Sequence, residues 1–331
     1  MRAVLMTEMG GPEVLKSAEI PEPELRTASD IKVRLAGAGV NPVDTKIRAR
    51  GVFSTDPLPA VLGCDGAGEV VAVGAAVTRF KPGDPVWFCH GGLGSEQGNY
   101  AEFNVLDQRW AARRPAAIDA VTAAAGPLVL ITAWNALFEK GGLREGQSVL
   151  IHAGAGGVGH VAIQLAKHVG ARVCTTVGSL EKEQFVRALG ADRVIHYPRE
   201  DVAQAVLDWT DGEGVDLALE SVGPEVFRQS IPAVRHFGRL ITLLDPGLNM
   251  DWKEARIRNL MIGFELMLTP MLRNLAAARD RHVEILDACA GMIDAGQLRL
   301  EVSYRLPLNA ASEAHRHIES GRTTGKLVLE I

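Results

Sequence analysis

Three glycines carry the clearest chemical signal in the chain. Gly154, Gly156 and Gly159 have the spacing G-x-G-x-x-G; an apolar run over 149–151 precedes them. Val158, Ala162, Leu165 and Val169 then recur at helical spacing. Strand, glycine bend and helix, in that order, are the setting in which this spacing binds a dinucleotide. The first glycine permits the tight turn, the second lets backbone approach a pyrophosphate, and the third lets the helix pack on the strand. Backbone N–H groups at the helix start, from Gly157 through Val158 to Gly159, then face the phosphates. The competing reading is a small-residue turn with no ligand.

A second signal is an absence. NAD-binding units place an acid about 20 residues past the glycines to hold the ribose hydroxyls. Here that place reads Val177, Gly178, Ser179, with Lys182 one turn later. An acid there would repel the 2′-phosphate of NADPH by about 4 kcal/mol per charge pair at about 4 Å and an effective dielectric near 20. Its absence, with Lys182 near, points to NADPH. Glu181 and Glu183 flank that lysine, and a solvated helix residue is its alternative role.

The chain around these residues has 331 residues, 47% hydrophobic and 23% charged, with a net charge of -5. That suffices for two domains and a sizeable core. Acids and bases are interspersed, so nothing suggests a nucleic-acid partner. Thr7, Glu8 and Glu13 interrupt any apolar leader, and Gly126 and Pro127 break the most apolar stretch, so no membrane partner is expected. Cys64, Cys89, Cys174 and Cys289 are too scattered for a disulfide framework or a zinc knuckle, and the cytoplasm is the expected compartment.

Residues 1–120 are read as β-rich, with strands at 1–5, 31–35 and 69–73. Pro21, Pro23, Pro42, Pro57, Pro59, Pro82 and Pro85 punctuate them. A helix is expected over 120–139. Past the glycines, strands at 172–177, 194–196, 215–220 and 239–244 alternate with helices at 180–189, 201–210 and 225–234. This alternation predicts an α/β fold with a doubly wound parallel sheet. An edge strand is expected within 259–268, a helix over 279–295, and a last strand over 326–331 that returns to the first domain.

With these motifs in place, the chain resembles the medium-chain dehydrogenase/reductase superfamily, and within it the zinc-independent, zeta-crystallin-like quinone oxidoreductases. The segments that carry the likeness are Gly10-Gly-Pro-Glu-Val-Leu15, Gly39-Val-Asn-Pro-Val-Asp44, Leu62-Gly-Cys-Asp-Gly-Ala-Gly-Glu-Val-Val71, Phe80-Lys-Pro-Gly-Asp84, the glycine unit, and Gly325-Lys-Leu-Val-Leu329. They span nearly the whole length. The resemblance implies a GroES-like β-rich catalytic domain over 1–121 and 266–331, and a Rossmann NADP-binding domain over 122–265. It also implies a homodimer formed through edge strands near 259–268.

Zinc members carry a Cys in the segment matching Gly39 to Asp44, and Gly-His-Glu in the segment matching Gly63 to Asp65. Here Asn41 and Cys64 stand at those places, which leaves a poor zinc site, so no metal is expected. Without a Lewis acid, an already electrophilic acceptor is favoured, a quinone or an enone. The resemblance further implies Thr132 near the nicotinamide, Tyr197 near the 2′-phosphate, and Ser221 at the sheet's carboxyl edge. Leu243 and Phe264 flank ribose and nicotinamide, and Lys326 reaches a phosphate. Asn41 is the candidate hydrogen-bond donor to the acceptor oxygen, or a cap for the turn at Pro42, and Asp44 braces that loop. Lys46, where many relatives have Tyr, is a candidate cation near the developing oxyanion or else a solvent-facing residue, and Asp65 lines the pocket or binds backbone. The reading is an NADPH-dependent, zinc-free quinone reductase. The alternatives are an enone or alkenal reductase, a residual zinc alcohol dehydrogenase, and a non-catalytic NADPH-binding redox sensor.

Overall fold

The computed structural model describes residues 1–51, 58–94 and 96–331, so Pro57 lies outside the described residues. The chain forms two compact units, one of Met1–Leu128 with Leu268–Ile331, the other of Val129–Met267.

The first unit opens with β1 (Arg2–Met6), β2 (Leu15–Glu19), β3 (Asp30–Val40), β4 (Ala60–Val61), β5 (Asp65–Val73), β6 (Pro85–Cys89), β7 (Phe103–Asp107) and β8 (Ala112–Arg113). The second carries β9 (Ser148–Ile151), β10 (Arg172–Val177), β11 (Arg193–His196), β12 (Val215–Glu220), β13 (Val234–Thr242) and β14 (Met261–Phe264). The chain then returns to the first unit with β15 (Val302–Pro307) and β16 (Lys326–Glu330).

In the first unit β3 is the spine. It pairs antiparallel with β5 along one edge, and with β7 and then β16 along the other. Ile31, Val33 and Leu35 alternate inward from β3 and pack with Val70, Phe80, Val86, Phe88 and Leu106. Lys32 and Arg34 point away, as a period of two requires. The register of β3 on β5 slips twice, which bends the sheet. At Gly68 a Cβ would lie 2.0 Å from the Arg34 carbonyl oxygen, so the strands meet there only because the residue has no side chain. The GroES-like β-rich unit and the returning terminal strand are thus as expected.

One helix lies where the sequence suggests a loop. Pro42–Arg50 is helical, with Pro42 at its first turn and Asn41 as N-cap. Its buried face is Asp44, Thr45, Ile47 and Arg48, mostly polar, so no apolar period marks it in sequence. The helix expected over 120–139 is broken. Ala120–Ala123 is capped by Asp119, and a second helix begins at Pro127 (Pro127–Trp134). Pro127 cannot donate within a helix but suits its first turn.

In the second unit the strand order is β11-β10-β9-β12-β13-β14, with every pair parallel. This is the doubly wound order whose direction reverses between β9 and β12, and ligands bind outside the carboxyl ends of strands at such a reversal. Leu150, Cys174, Ile195, Ala218 and Leu240 line one face of the sheet and pack on Phe227, Ile231 and Val206. Burial of each large apolar side chain contributes about 1.5–3 kcal/mol. Among the described residues no helix is long and apolar enough to cross a membrane.

Candidate active site

Each unit holds one constellation. In the second unit it lies at the carboxyl ends of β9, β10 and β12. Past β9, the His152 N–H bonds the Leu219 carbonyl at 3.0 Å, and the Ala153 and Gly154 N–H groups bond Thr176 Oγ1 and O at 3.0 and 3.1 Å. The left-handed residue of this bend is Ala153, at φ 50°, not the first glycine. Gly154 is required for a different reason: a Cβ there would lie 2.0 Å from Thr175 Oγ1 on β10. Gly159 admits the close approach of the bend to the helix, since its Cβ would lie 2.3 Å from the Ala153 oxygen. A Cβ on Gly156 would meet only the Ala153 oxygen, at 3.1 Å, so the backbone there faces open space.

The helix Gly157–His168 follows, with Gly156 as N-cap, no side-chain cap bond and no acid in its first turn. Gly157, Val158 and Gly159 therefore begin the helix with N–H groups that have no intrahelical partner, a geometry able to take an anion. Beneath it, His152 bonds Ser230 Oγ through Nε2 at 2.8 Å. Burial pushes this imidazole down to about 4, so it is neutral at physiological pH.

Ser221 follows β12, with its Oγ 3.4 Å from the His152 carbonyl. The sequence reading missed what holds this loop. Glu220, fully buried, accepts the Val222 and Gly223 N–H groups at 2.5 and 2.6 Å and the Thr242 hydroxyl at 2.7 Å. Its only signal in sequence is an acid ending an apolar strand. Leu243 is tied back to Glu220 by a backbone bond at 3.0 Å. Thr132 is buried in its helix, and Phe264 on β14 is exposed.

Past the end of β10, Gly178 meets Tyr197, which follows β11. A Cβ on Gly178 would lie 2.7 Å from the Tyr197 hydroxyl. Ser179 caps the helix Leu180–Ala188, accepting the Lys182 N–H at 3.3 Å. Lys182 is half-buried on that first turn. Glu183, which flanks it, is occupied by His196 at 2.6 Å and Arg187 at 2.7 Å, and these bonds hold its carboxyl below the usual range. One of the two acids set against Lys182 is thus already countered.

The constellation of the first unit is a buried polar cluster. Asn41, Asp44 and Asp65 are each fully buried, and Lys326 is 4% exposed. Asn41 Nδ2 donates to Asp65 Oδ2 at 2.9 Å, and Asn41 Oδ1 accepts from the Lys326 ammonium. Lys326 also donates to the Val40 carbonyl at 3.1 Å and lies 3.8 Å from Asp65. Asp65 further accepts the Leu128 N–H at 2.8 Å. Asp44 Oδ2 accepts the Asn41 N–H at 2.8 Å and the Tyr100 hydroxyl at 3.1 Å, while the Cys64 thiol faces Oδ1 at 3.9 Å. Burial raises Asp44 to about 7 and raises Asp65 as well. It lowers Lys326, against the pull of Asp65 and Asp44.

The Lys326 ammonium lies inside the first unit with a carbonyl, an amide and a carboxylate, because β16 pairs with β3 and puts Leu327 opposite Val40. Lys46 lies on the exposed side of the helix that buries Asp44 and Arg48, apart from this cluster.

Sequence reasoning also missed the chain behind Asp44. Arg48 donates to His315 Nδ1 at 3.3 Å and to Glu319 at 2.5 Å. His315 Nε2 lies 3.2 Å from the Tyr100 hydroxyl. A guanidinium can only donate, so Nδ1 accepts and Nε2 carries the proton. Burial, then Arg48, pushes His315 down to about 3, so it is neutral and every donor in the row points toward Asp44.

The donor set does not fit the zinc that the superfamily's metal-dependent members hold. The Asn41 oxygen at the Cys place is taken by an ammonium, and the Cys64 thiol is turned to Asp44. Burial raises that thiol well above its ordinary value, which opposes the thiolate a metal needs. Among the described residues no three His, Cys, Asp or Glu side chains are grouped to hold a metal.

Residues 27–116 match the alcohol dehydrogenase GroES-like domain family, and residues 189–329 match the zinc-binding dehydrogenase family. A quinone oxidoreductase of Pseudomonas aeruginosa is 35% identical over 97% of this chain and 96% of its own. The crystal structure of an NAD-dependent alcohol dehydrogenase superposes with a TM-score of 0.90 at 34% identity over all of both chains. That of Escherichia coli quinone oxidoreductase complexed with NADPH superposes with a TM-score of 0.89 at 29% identity, also over all of both.

Proposed function

The chain belongs to the medium-chain dehydrogenase/reductase superfamily, in its zeta-crystallin-like quinone oxidoreductase group, and we propose that it passes hydride from NADPH to a quinone-type acceptor without a catalytic zinc. That it is an NAD(P)H-dependent oxidoreductase follows from the family. The choice of NADPH rests on one observation: the end of β10 offers a glycine, a serine and the Tyr197 hydroxyl where NAD enzymes offer a carboxylate. The Escherichia coli relative holding NADPH supports the same choice. The acceptor follows from relatives that bear the name quinone oxidoreductase and from a cluster that offers hydrogen bonds and an ammonium in place of a metal. An acceptor that is electrophilic before binding needs no stronger activation.

In this reading the glycine bend holds the pyrophosphate, and Ser179, Lys182 and Tyr197 hold the 2′-phosphate. Asn41 bonds the acceptor oxygen. Two copies pair through β14, which ends the sheet and leaves Met261 and Phe264 exposed on an open edge. The four cysteines are free thiols, in keeping with a reducing compartment such as the cytoplasm.

The test is oxidation of NADPH and NADH against a quinone panel and an enone panel, with light scattering for mass. Faster turnover of quinones with NADPH, by a dimer, is expected. Preference for enones moves the acceptor to the C=C class, and NADPH binding without turnover makes the protein a sensor. Stoichiometric zinc whose removal abolishes turnover overturns the zinc-free reading.

A further inference from the structure

We propose that Lys326 and Asn41 act as one unit in place of a Lewis acid, the ammonium polarising the carboxamide so that its remaining N–H stabilises negative charge on the acceptor oxygen. The proposal rests on the quinone-reductase reading above and deepens it.

The orientation of the amide is fixed by its partners. Lys326 can only donate, so it must meet Oδ1, and Nδ2 must then face Asp65. Nδ2 has two hydrogens. Asp65 takes one at 2.9 Å, and the second has no partner among the described residues. A cation bonded to the carbonyl oxygen of an amide draws electron density from nitrogen, and charge-assisted bonds of this kind are about twice as strong as neutral ones. The second N–H is thereby a stronger donor than that of an ordinary asparagine. Asp65 keeps the group from rotating, and is itself held by Leu128.

The place of the ammonium matters as much as its partner. It lies against Asn41, which stands where zinc members carry a ligand, and 3.8 Å from Asp65. A cation therefore sits against the residue that stands in place of a zinc ligand, supplied by the last strand rather than by a metal. Its fixed position needs no reorganisation when charge develops, which is the condition for electrostatic catalysis. The step balances simply. NADPH, when bound at the glycine bend, would supply a hydride with its electron pair and be left oxidised; the acceptor oxygen, now an anion, would be bonded by Asn41 and take its proton from water. In this scheme Asn41 is the catalytic residue and Lys326 a positioning residue that works through it.

The experiment compares wild type, Lys326→Met, Asn41→Ala and the double variant on quinones of graded electrophilicity, with NADPH affinity measured by nicotinamide fluorescence. Asn41→Ala is expected to lower kcat about 10²-fold, the usual loss of one oxyanion donor. Lys326→Met is expected to lower it about 10-fold, more steeply for the less electrophilic quinones. The double variant should be no slower than Asn41→Ala, because the lysine has no other route to the acceptor. NADPH affinity should stay within about twofold throughout. Losses that multiply in the double variant, or an unchanged kcat in Lys326→Met, overturn the proposal. If Lys326→Met fails to bind NADPH, Asn41→Asp decides: it keeps a partner for the ammonium but removes the N–H. A loss equal to that of Asn41→Ala supports the proposal, and wild-type turnover overturns it. An inactive wild type overturns the quinone-reductase reading and this proposal together, whereas an active wild type with additive variants overturns this proposal alone.

Discussion

Replacing Ser179 by Asp isolates the choice between the two dinucleotides. Ser179 is an exposed N-cap whose oxygen accepts the Lys182 N–H. Asp serves that cap as well as Ser, and an acid at a helix start is favourable, so the fold should keep its stability. What changes is the charge at the end of β10. A carboxylate about 4 Å from a phosphate charge costs about 4 kcal/mol at an effective dielectric near 20. Exposure of the site and salt screening reduce that to about 2 kcal/mol, or about 30-fold in affinity. NADH, which lacks the 2′-phosphate, should bind as well as before or better. The assay is kcat/KM for NADPH and NADH at low and high salt, beside urea unfolding of both proteins. The expected result is a drop of about 30-fold for NADPH alone, smaller at high salt, at unchanged stability. Equal kcat/KM for NADPH in the variant and the wild type would refute the placing of the phosphate beside Ser179, and with it the argument from the missing acid.

Two further perturbations test the rest of the site. Gly154→Ala forces a Cβ to 2.0 Å from Thr175 Oγ1, so urea unfolding should show a loss of about 1–3 kcal/mol. Gly156→Ala meets only one oxygen, at 3.1 Å, and should leave stability nearly unchanged while NADPH affinity falls; equal stability losses in the two variants would contradict the roles given to them. Asp44, raised by burial to about 7, binds a proton in the folded protein that the unfolded chain releases near pH 4. Its contribution is therefore fully present below about pH 4 and is lost as pH rises through 7, at up to about 1.4 kcal/mol per pH unit. The stability of wild type minus that of Asp44→Asn, followed by urea unfolding, should fall across this window, and a flat difference would show that Asp44 is not the group that titrates.

The second unit was the more legible in sequence because local signals dictate it. Apolar runs such as Val149 to Ile151 can only be buried strands between helices, and the glycines announce a bend against them. The strands at Arg172–Val177 and Val215–Glu220 lie where periodicity puts them. Error entered where two physical demands share one residue type. The spacing points to Gly154 for the turn because glycine tolerates it, whereas Ala153 takes the left-handed conformation and Gly154 makes room for Thr175. Spacing identifies the glycines but not which of the two demands each one meets.

The first unit hides its chemistry for a different reason. The helix Pro42–Arg50 buries Asp44, Thr45 and Arg48, so the residues that matter break the apolar period that would reveal it. Lys326 and Asn41 are 285 positions apart, and Arg48 and His315 are 267 apart. Nothing local to either member of these pairs predicts the other. They meet because β16 pairs with β3, so strand register decides which amide receives the ammonium. A slip of one residue would turn Lys326 to the other face of the sheet and leave Asn41 and Asp65 without a cation. The register is held by Leu327, Val328 and Leu329, all buried to 1% exposure or less. Apolar burial thus fixes the register, and the register fixes where the positive charge stands. A buried ammonium is costly in itself, and here a carbonyl, an amide and the Asp65 carboxyl offset that cost.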